Sequence, residues 1–261
     1  MAEATVLDRI VAAVRERLDA APAAPDLRQR AREAATARRP RSLRRALAVK
    51  GPSLIAECKR ASPSAGRLRE PFDPVALARE YEAAGAAAIS VVTEPDFFAG
   101  DPGWLAEVRA AVALPVLRKD FVVAERQLYE AVLLGADAVL LIARILTAGR
   151  LAELVELADE LRLDVLLEIF ADEDPAIAVA SGAPIVGVNA RDLATFRVDL
   201  DRVRELAAEL PPDRVWVAES GIRGAGDVRR LAAAGYDAFL VGETLLRAER
   251  PGDAVRELLG G

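Results

Sequence analysis

The sequence predicts an α/β protein, a TIM (β/α)8 barrel preceded by a helical extension, and three observations support this fold. Eight short apolar runs alternate with eight helical patterns from residue 53 onwards. Several of these runs are apolar throughout, as in 138–142, which is typical of parallel strands covered on both faces. Strands that alternate with helices form parallel sheets with right-handed crossovers, and eight such units in about 210 residues match a TIM barrel.

The first fifty residues differ from the repeating units and predict helices only. Apolar residues recur at helical spacing in 4–19, where an amphipathic helix is expected. Two prolines follow it, and a second helix is expected over about 26–38. This stretch is too short and too polar to bury a core of its own. We therefore assign 1–50 to an N-terminal helical extension and 51–261 to the barrel, as the catalytic domain.

The repeating units place each barrel element in turn. A glycine stands just before several of the strands, where it ends the preceding helix cheaply in the left-handed conformation. A doubly wound open sheet is the alternative, but it usually has fewer strands, and no G-x-G-x-x-G follows the first one here. The predicted strands are 53–58, 87–92, 114–118, 137–142, 164–168, 185–189, 215–219 and 237–241, and the helices lie near 74–84, 102–111, 124–134, 148–161, 173–181, 199–209, 225–234 and 252–259.

Composition limits the classes of function. A net charge of −6 and a pI near 5.1 argue against a nucleic-acid partner. No apolar run reaches the roughly 18 residues of a membrane span. The lone cysteine, Cys58, forms no internal disulfide, which suits a reducing compartment. We expect a cytoplasmic, monomeric protein without nucleic-acid or membrane partners, and we interpret the arginine-rich stretch 28–45 as a solvated helix face.

The basic residues show a bias that bears on proton chemistry. Of the 35 lysines and arginines only three are lysines, and histidine is absent. Arginine stays protonated at neutral pH and releases no proton, and the usual neutral-pH acid–base residue is missing. Lys59 and Lys119 stand where the first and third apolar runs end. Lysines and carboxylates must therefore perform any proton transfer.

Polar residues follow five of the predicted strands at the end where TIM barrels carry their reactive groups. Glu57 and Lys59 are two residues apart, so both side chains face the barrel mouth while Cys58 points outward. A structural ring of salt bridges is the alternative, and so many polar strand ends on one rim favour a functional site. The set comprises Glu57, Lys59, Lys119, Glu168, Asn189, Arg191 and Glu219.

Two glycine-containing segments predict a phosphate site. Ser220 and Gly221 open the helix after the seventh strand, and Gly242 and Glu243 begin a turn after the eighth. Free N–H groups at helix starts bind anions, and these two loops commonly hold phosphate in barrels. Metal binding is not expected, because histidine is absent and the acidic run 172–174 lies at a helix start, where carboxylates favour the helix dipole.

Aromatic residues follow the second and third strands. Phe97, Phe98 and Phe121 are placed where they could line a flat apolar pocket over the barrel mouth. Packing of the loops onto the barrel explains them equally well.

Seven segments at these strand ends resemble the indole-3-glycerol-phosphate synthase family of tryptophan biosynthesis. They are IAECKRASPSAG at 55–66, SVVTEPDFF at 90–98, PVLRKDF at 115–121, LLEI at 166–169, VNARDL at 188–193, AESGI at 218–222 and LVGE at 240–243. The resemblance implies a carboxy-lyase that acts on 1-(2-carboxyphenylamino)-1-deoxy-D-ribulose 5-phosphate. The enzyme closes the indole ring and releases carbon dioxide and water, and it needs no cofactor or metal.

The resemblance also implies roles for particular residues. Lys119 would be the general acid of ring closure, and Glu168 an acid/base in the later dehydration. We further expect Lys59 and burial to lower the pKa of Lys119. The implied catalytic residues are Glu57, Lys59, Lys119, Glu168, Asn189 and Glu219, and the implied substrate-binding residues are Ser62, Phe121, Arg191, Ser220, Gly221, Leu240, Gly242 and Glu243.

Two other functions remain open from the sequence. Phosphoribosylanthranilate isomerase is a related phosphate-binding barrel, but it usually uses a cysteine and an aspartate as base and acid, and Cys58 is predicted to face away from the mouth. A barrel that only binds a phosphorylated metabolite would need the phosphate loops but not the pair Lys119 and Glu168.

Overall fold

The computed structural model describes residues 4–173, 175–192 and 197–261. Eight parallel strands close into a barrel in which each strand pairs with the next and the first pairs with the eighth. The predicted TIM barrel is confirmed. In chain order its strands are Ser53–Cys58, Ala88–Val92, Val116–Lys119, Ala138–Ile142, Asp164–Phe170, Ile185–Asn189, Val215–Glu219 and Ala238–Val241.

Helices α1 (Val6–Ala20), α2 (Leu27–Ala37) and α3 (Leu43–Leu47) precede the first strand. No helix among the described residues is both long enough and apolar enough to cross a membrane. The other helices are α4 (Pro74–Ala83), α5 (Pro95–Phe98), α6 (Gly103–Ala111), α7 (Glu125–Leu133), α8 (Ala148–Glu160), α9 (Ala176–Ser181), α10 (Leu200–Leu206), α11 (Ala225–Ala234), α12 (Glu243–Arg247) and α13 (Pro251–Leu259).

The elements that the sequence did not predict are all short. They are α3, α5, a 3-10 turn at Ala143–Ile145 and a hairpin of two-residue strands at Ala61–Ser62 and Gly66–Arg67. Elements this short show no periodicity. The third strand begins at Val116 rather than at 114, directly after Pro115, whose missing N–H cannot join a ladder. Asp174 and Leu193, which belong to two of the quoted segments, lie outside the described residues.

Strand residues alternate between the barrel interior and a layer packed under the helices. Cys58 is fully buried in the outer layer, and its Sγ donates to the carbonyl of Pro74 at 3.7 Å. Burial raises the pKa of the Cys58 thiol. The cysteine therefore faces away from the barrel mouth, as predicted, and is held as a thiol.

Helix α3 closes the N-terminal end of the barrel. Leu43 and Leu47 are fully buried and share an apolar cluster with residues that begin several strands. Ser42 caps the helix by accepting from the N–H of Arg45, and its hydroxyl donates to Asp164 at 3.0 Å. Because Asp164 begins the fifth strand, this bond fixes α3 against the barrel floor. The strand residues in the cluster include Ala88, Ile185, Val215 and Ala238.

The interpretation of 28–45 as a solvated face is wrong for two of its arginines. Arg38 and Arg41 are half-buried and donate to main-chain carbonyls at the N-terminal end of the barrel. Arg38 bonds Arg162 at 2.6 Å, just past α8, and Arg41 bonds Leu114 at 2.8 Å. Carbonyls that end a helix lack partners within it, so these guanidinium groups satisfy them.

The Asp137 carboxylate, which is only 1% exposed, accepts several hydrogen bonds at the N-terminal end of the barrel. It accepts from the backbone N–H of Arg41 at 2.9 Å and of Val116 at 3.1 Å, and from Nη2 of Arg109 at 3.2 Å. Asp137→Asn would turn one acceptor into an N–H group facing a donor. We expect the free energy of unfolding to fall by about 2–3 kcal/mol.

Denaturant titration of Asp137→Asn beside Asp159→Asn would check this prediction. Asp159 is exposed on α8 and makes no side-chain hydrogen bond among the described residues. Equal midpoints in the two variants would show that the Asp137 carboxylate does not stabilise the fold.

Candidate active site

The C-terminal ends of the strands surround a cavity of about 900 Å³. Small-molecule sites span roughly 300–1,000 Å³, so the cavity is large enough for a metabolite. Every residue that the sequence predicted as catalytic or substrate-binding lines it. These residues are Glu57, Lys59, Ser62, Lys119, Phe121, Glu168, Asn189, Arg191, Glu219, Ser220, Gly221, Leu240, Gly242 and Glu243.

Lys119 lies between two buried carboxylates. Its Nζ is 3.2 Å from Oε2 of Glu168 and 3.5 Å from Oε2 of Glu219. Lys119 and Glu219 end the third and seventh strands, and Glu168 lies two residues before the end of the fifth. The closed barrel brings these strand ends together. Both carboxylates are at most 2% exposed, so water screens the ammonium charge poorly.

The expected lowering of the pKa of Lys119 is wrong. Burial does favour the neutral amine, but Glu168, Glu219 and Glu57 outweigh it and hold the pKa of Lys119 above its ordinary value. Lys59, expected to act against this charge, pairs instead with Glu57, with 2.5 Å between Nζ and Oε1. Lys119 is therefore a cation at neutral pH, which is the protonated form that a general acid requires.

Glu57, near the end of the first strand, is surrounded by positive groups from three strand ends. Burial opposes its ionisation, but Lys59, Lys119 and Arg191 hold the pKa of Glu57 below its ordinary value. Gly242 provides the space for this carboxylate, since a Cβ there would lie 2.5 Å from Oε1 of Glu57. The sequence analysis predicted Gly242 as a phosphate contact. The structure adds a separate requirement for glycine at this position, which is room for the Glu57 side chain.

Asn189 orients Glu168 from the opposite side to Lys119. Its Nδ2 donates to Oε1 of Glu168 at 3.2 Å, while Lys119 contacts Oε2. Its Oδ1 accepts from the backbone N–H of Arg191 at 2.9 Å, which fixes the amide. Both carboxylate oxygens of Glu168 are thus held in place over the cavity floor.

Glu219 differs from the other two carboxyl groups. Burial, together with Glu168 and Glu57, raises the pKa of Glu219 to about 8, although Lys119 lowers it. Its Oε1 has no hydrogen-bond partner among the described residues and lies against Gly187, where a Cβ would be 1.9 Å away. Glu219 therefore holds its proton more tightly than an ordinary glutamate, and in the protonated form it can act as a hydrogen-bond donor.

Glu219→Gln is expected to change how stability depends on pH. The folded protein holds this proton up to a pKa of about 8, whereas an unfolded chain releases it near 4.5, so this group makes wild-type stability fall as pH rises through that window. The slope is at most about 1.4 kcal/mol per pH unit. Lys119 adds no slope there, because its pKa lies above the window in both states.

Denaturant titration from pH 5 to 8 would test this, with Glu156→Gln on the exposed face of α8 as the matched control. The free energy of unfolding should fall more steeply with pH in wild type and in the control than in Glu219→Gln. Parallel curves for all three proteins would show that Glu219 is already ionised in the folded state.

Positive side chains line one side of the cavity beside the predicted phosphate loops. Glu243 lies between two of them, 3.5 Å from Nη2 of Arg191 and 3.0 Å from Nε of Arg247. Arg223 and Arg247 also line the cavity, and the sequence analysis missed both. Each follows a glycine segment by a few residues, a signal that could have been used.

The backbone after the seventh strand turns sharply. Ser220 and Gly221 both have left-handed φ angles, 68° and 76°. Such a conformation is costly for a serine, and residues held in it cluster at functional sites. The turn brings both residues to the cavity wall.

An apolar wall stands on the other side of the cavity, and part of it comes from the N-terminal extension. Val6 and Ile10 of α1 line the cavity. The Phe98 and Phe121 rings contact each other with centroids 5.9 Å apart, and both line the cavity, whereas Phe97 does not. The sequence analysis predicted α1 but not its position. The only signal was its apolar face, which had no partner within the extension.

Comparisons with known proteins point to one family. The family model described as indole-3-glycerol phosphate synthase matches residues 7–258. A protein of that name from Desulfotalea psychrophila is 49% identical over 220 residues, which cover 84% of this chain and 85% of the relative. One from Mycobacterium avium is 45% identical over 259 residues, or 99% of this chain and 95% of the relative.

Solved structures support the fold. A thiamine phosphate pyrophosphorylase from Pyrococcus furiosus superposes with a TM-score of 0.62 at 21% identity, covering 83% of this chain and 96% of that one. A 3-hexulose-6-phosphate synthase from Salmonella typhimurium gives a TM-score of 0.64 at 15% identity, covering 79% and 96%. At such low identity these likenesses concern the barrel alone.

Proposed function

Since the chain belongs to the indole-3-glycerol phosphate synthase family, which are carboxy-lyases of tryptophan biosynthesis, we propose that its cavity closes an indole ring with Lys119 as general acid. The substrate would be 1-(2-carboxyphenylamino)-1-deoxy-D-ribulose 5-phosphate. The observation that carries this proposal is the position of the Lys119 ammonium, held between Glu168 and Glu219 on the cavity floor.

The two sides of the cavity fit the two ends of this substrate. The aryl ring would lie against Phe98 and Phe121, because flat apolar rings stack there. The phosphate would lie at Gly221 and Gly242, which also line the cavity, beside the arginine side chains. The ribulose carbon chain would then cross the floor above Lys119.

Ring closure forms a bond between the ring carbon that bears the carboxylate and the ketone carbon of the sugar. Negative charge develops on the ketone oxygen, and the Lys119 ammonium would donate its proton there to give a hydroxyl group. A positioned acid of this kind contributes about 10²–10⁴-fold. Loss of carbon dioxide from the same ring carbon then returns the electron pair to the ring system.

Dehydration completes the indole. The new hydroxyl group leaves as water when it receives a proton, and a proton leaves the neighbouring carbon so that the double bond forms. Glu168 would act as the acid/base of this step, because Asn189 and Lys119 fix both of its oxygens. In its protonated form, which burial favours, the Glu219 carboxyl would donate a hydrogen bond to a substrate hydroxyl.

The other catalytic residues would handle the anilino end. The Glu57 carboxylate would accept from the N–H group of the anilino nitrogen. Lys59, which is paired with Glu57 at 2.5 Å, would face the substrate carboxylate. Asn189 and Arg191 would orient the substrate, and Ser62 and Leu240 would line its path. We further propose a monomer that acts in the cytoplasm without a cofactor.

A fluorescence assay for indole-3-glycerol phosphate would test the function. Purified protein would receive the carboxyphenylamino-deoxyribulose phosphate with and without EDTA. We expect the same rate of turnover in both. Absence of turnover with the substrate still bound would favour a barrel that only binds the metabolite. Isomerase activity has no support in the site, since Cys58 lies outside it.

A further inference from the structure

We infer that Arg17 and Glu94 are positioning residues for the aryl end of the substrate. Together with Asp96 they form an ion-pair cluster, called here the α1 latch, which joins helix α1 to the loop that carries Phe98. This assignment rests on the proposed function, because it concerns the part of the cavity where the aryl ring would bind.

The Glu94 side chain holds the backbone of the loop that follows the second strand. It is fully buried, and its carboxylate accepts from the backbone N–H groups of Asp96 at 3.0 Å, Phe97 at 2.7 Å and Phe98 at 3.2 Å. These three donors are the free N–H groups that begin α5. One carboxylate thus determines where the Phe98 backbone lies.

The loop has little freedom on its far side. The backbone N–H of Gly100 donates to the carbonyl of Glu94 at 2.8 Å. A Cβ at Gly100 would lie 2.6 Å from the carbonyl oxygen of Val92, so only glycine fits. Ala99, between α5 and this glycine, has a left-handed φ of 50°. The segment that carries Phe98 is therefore closed on itself around Glu94.

Arg17 connects this closed loop to α1. Its Nη1 lies 3.6 Å from Oε1 of Glu94, and the same group bonds Oδ2 of Asp96. A buried carboxylate is costly unless a positive group compensates it, and Arg17 is the cation placed to do so. The latch therefore sets the position of α1 relative to Phe98.

The position of α1 matters because its other end covers the cavity. Val6 and Ile10 line the aryl side of the site two to three turns before Arg17. Arg126 of α7 donates to the carbonyls of Leu18 and Ala21 and so holds the C-terminal end of the helix. Arg17 and Arg126 anchor the same end of α1, so loss of the Arg17 contacts leaves one anchor, about which the part of the helix that covers the ring can turn.

The latch is linked to only one side of the cavity, through Phe98 and α1. Arg17, Glu94 and Asp96 make no hydrogen bond or ion pair with the phosphate loops among the described residues. Loss of the latch should therefore weaken ligands that carry an aryl ring and spare those that carry only a phosphate.

Arg17→Gln is the variant that tests the latch, and Arg15→Gln is its matched control. Arg15 lies two residues away on the same helix, is exposed, and makes no ion pair in the described chain. The Michaelis constant for the substrate and the inhibition constants of indole-3-glycerol phosphate and glycerol 3-phosphate would be measured. For Arg17→Gln we expect the Michaelis constant and the inhibition constant of indole-3-glycerol phosphate to rise about 5- to 20-fold. The kcat value should stay within about threefold of wild type.

The inhibition constant of glycerol 3-phosphate should stay unchanged, because this probe has no ring. Arg17→Lys keeps a cation and should recover most of the affinity, and Asp96→Asn should reproduce part of the loss from the other side of the latch. Equal values for the Arg17→Gln and Arg15→Gln variants would overturn the inference, as would an equal loss for both inhibitors.

The outcome is separable from the proposed function. If wild type showed no turnover, the proposed function would fail, while calorimetric titrations of wild type and the Arg17→Gln variant with the same two phosphates would still decide on the latch. Weaker binding of indole-3-glycerol phosphate, but not of glycerol 3-phosphate, by the Arg17→Gln variant would support the latch. Equal affinities of the two proteins for both compounds would overturn it.

Discussion

Lys119→Arg should lower kcat by about 10²–10⁴-fold, the usual contribution of a positioned general acid. Arginine keeps the positive charge between Glu168 and Glu219, so the ion pair with Glu168 is preserved. It cannot release a proton at neutral pH. The variant therefore keeps the positive charge at residue 119 but loses the proton donor that ring closure needs.

Steady-state turnover of Lys119→Arg would be compared with that of Lys50→Arg. Lys50 is exposed and makes no ion pair among the described residues, so its substitution controls for the change of residue type. We expect the substrate still to bind to Lys119→Arg, because the phosphate loops and the aryl wall are unchanged. A variant within tenfold of wild type would keep the function and exclude Lys119 as the acid.

Glu168→Gln should lower the rate of indole formation by a similar factor, about 10²–10⁴-fold. Glutamine has the same shape but only one acceptor oxygen, so it can accept from Asn189 or from Lys119 but not from both, and it can no longer carry a proton. If Glu168 acts in dehydration, carbon dioxide should still be released at the first turnover. The decarboxylated intermediate that has not lost water should then accumulate.

Rapid-quench measurement of carbon dioxide and of the indole chromophore would separate these steps, with Glu156→Gln as the exposed control. A burst of carbon dioxide without indole is expected for Glu168→Gln. Equal slowing of both signals would place Glu168 at ring closure instead, and dehydration would need another acid/base.

The strand ends of the site could be predicted from sequence because the rules that place them are local. Apolar runs end where polar residues begin, and in a barrel all such ends meet on one rim. Glu57, Lys119 and Glu168 were found in this way without knowledge of any contact. The period of two along a strand was enough to turn Cys58 outward.

The sign of the pKa shift of Lys119 could not be predicted in the same way. It depends on which charged groups lie nearest, and residues far apart in sequence are neighbours only in the closed barrel. The sequence analysis paired Lys119 with Lys59, whereas the structure pairs Lys59 with Glu57 and leaves Lys119 to two carboxylates. A difference of a few ångströms decides this sign.

The position of α1 also lay beyond the sequence. Its periodicity shows an apolar face but not the surface that this face covers. The arginines at 38 and 41 were misjudged for the same reason, since their partners are main-chain carbonyls that carry no mark in the sequence.

The N-terminal extension reaches both ends of the barrel, with α1 over the mouth and α3 against the floor. Leu47 of α3 shares an apolar cluster with Ala88 of the second strand and Ala238 of the eighth. That cluster is complete only after the last strand has joined the first. Leu47 would therefore lose part of its apolar surroundings if the eighth strand were displaced, so the extension and the last barrel strand depend on each other for their packing.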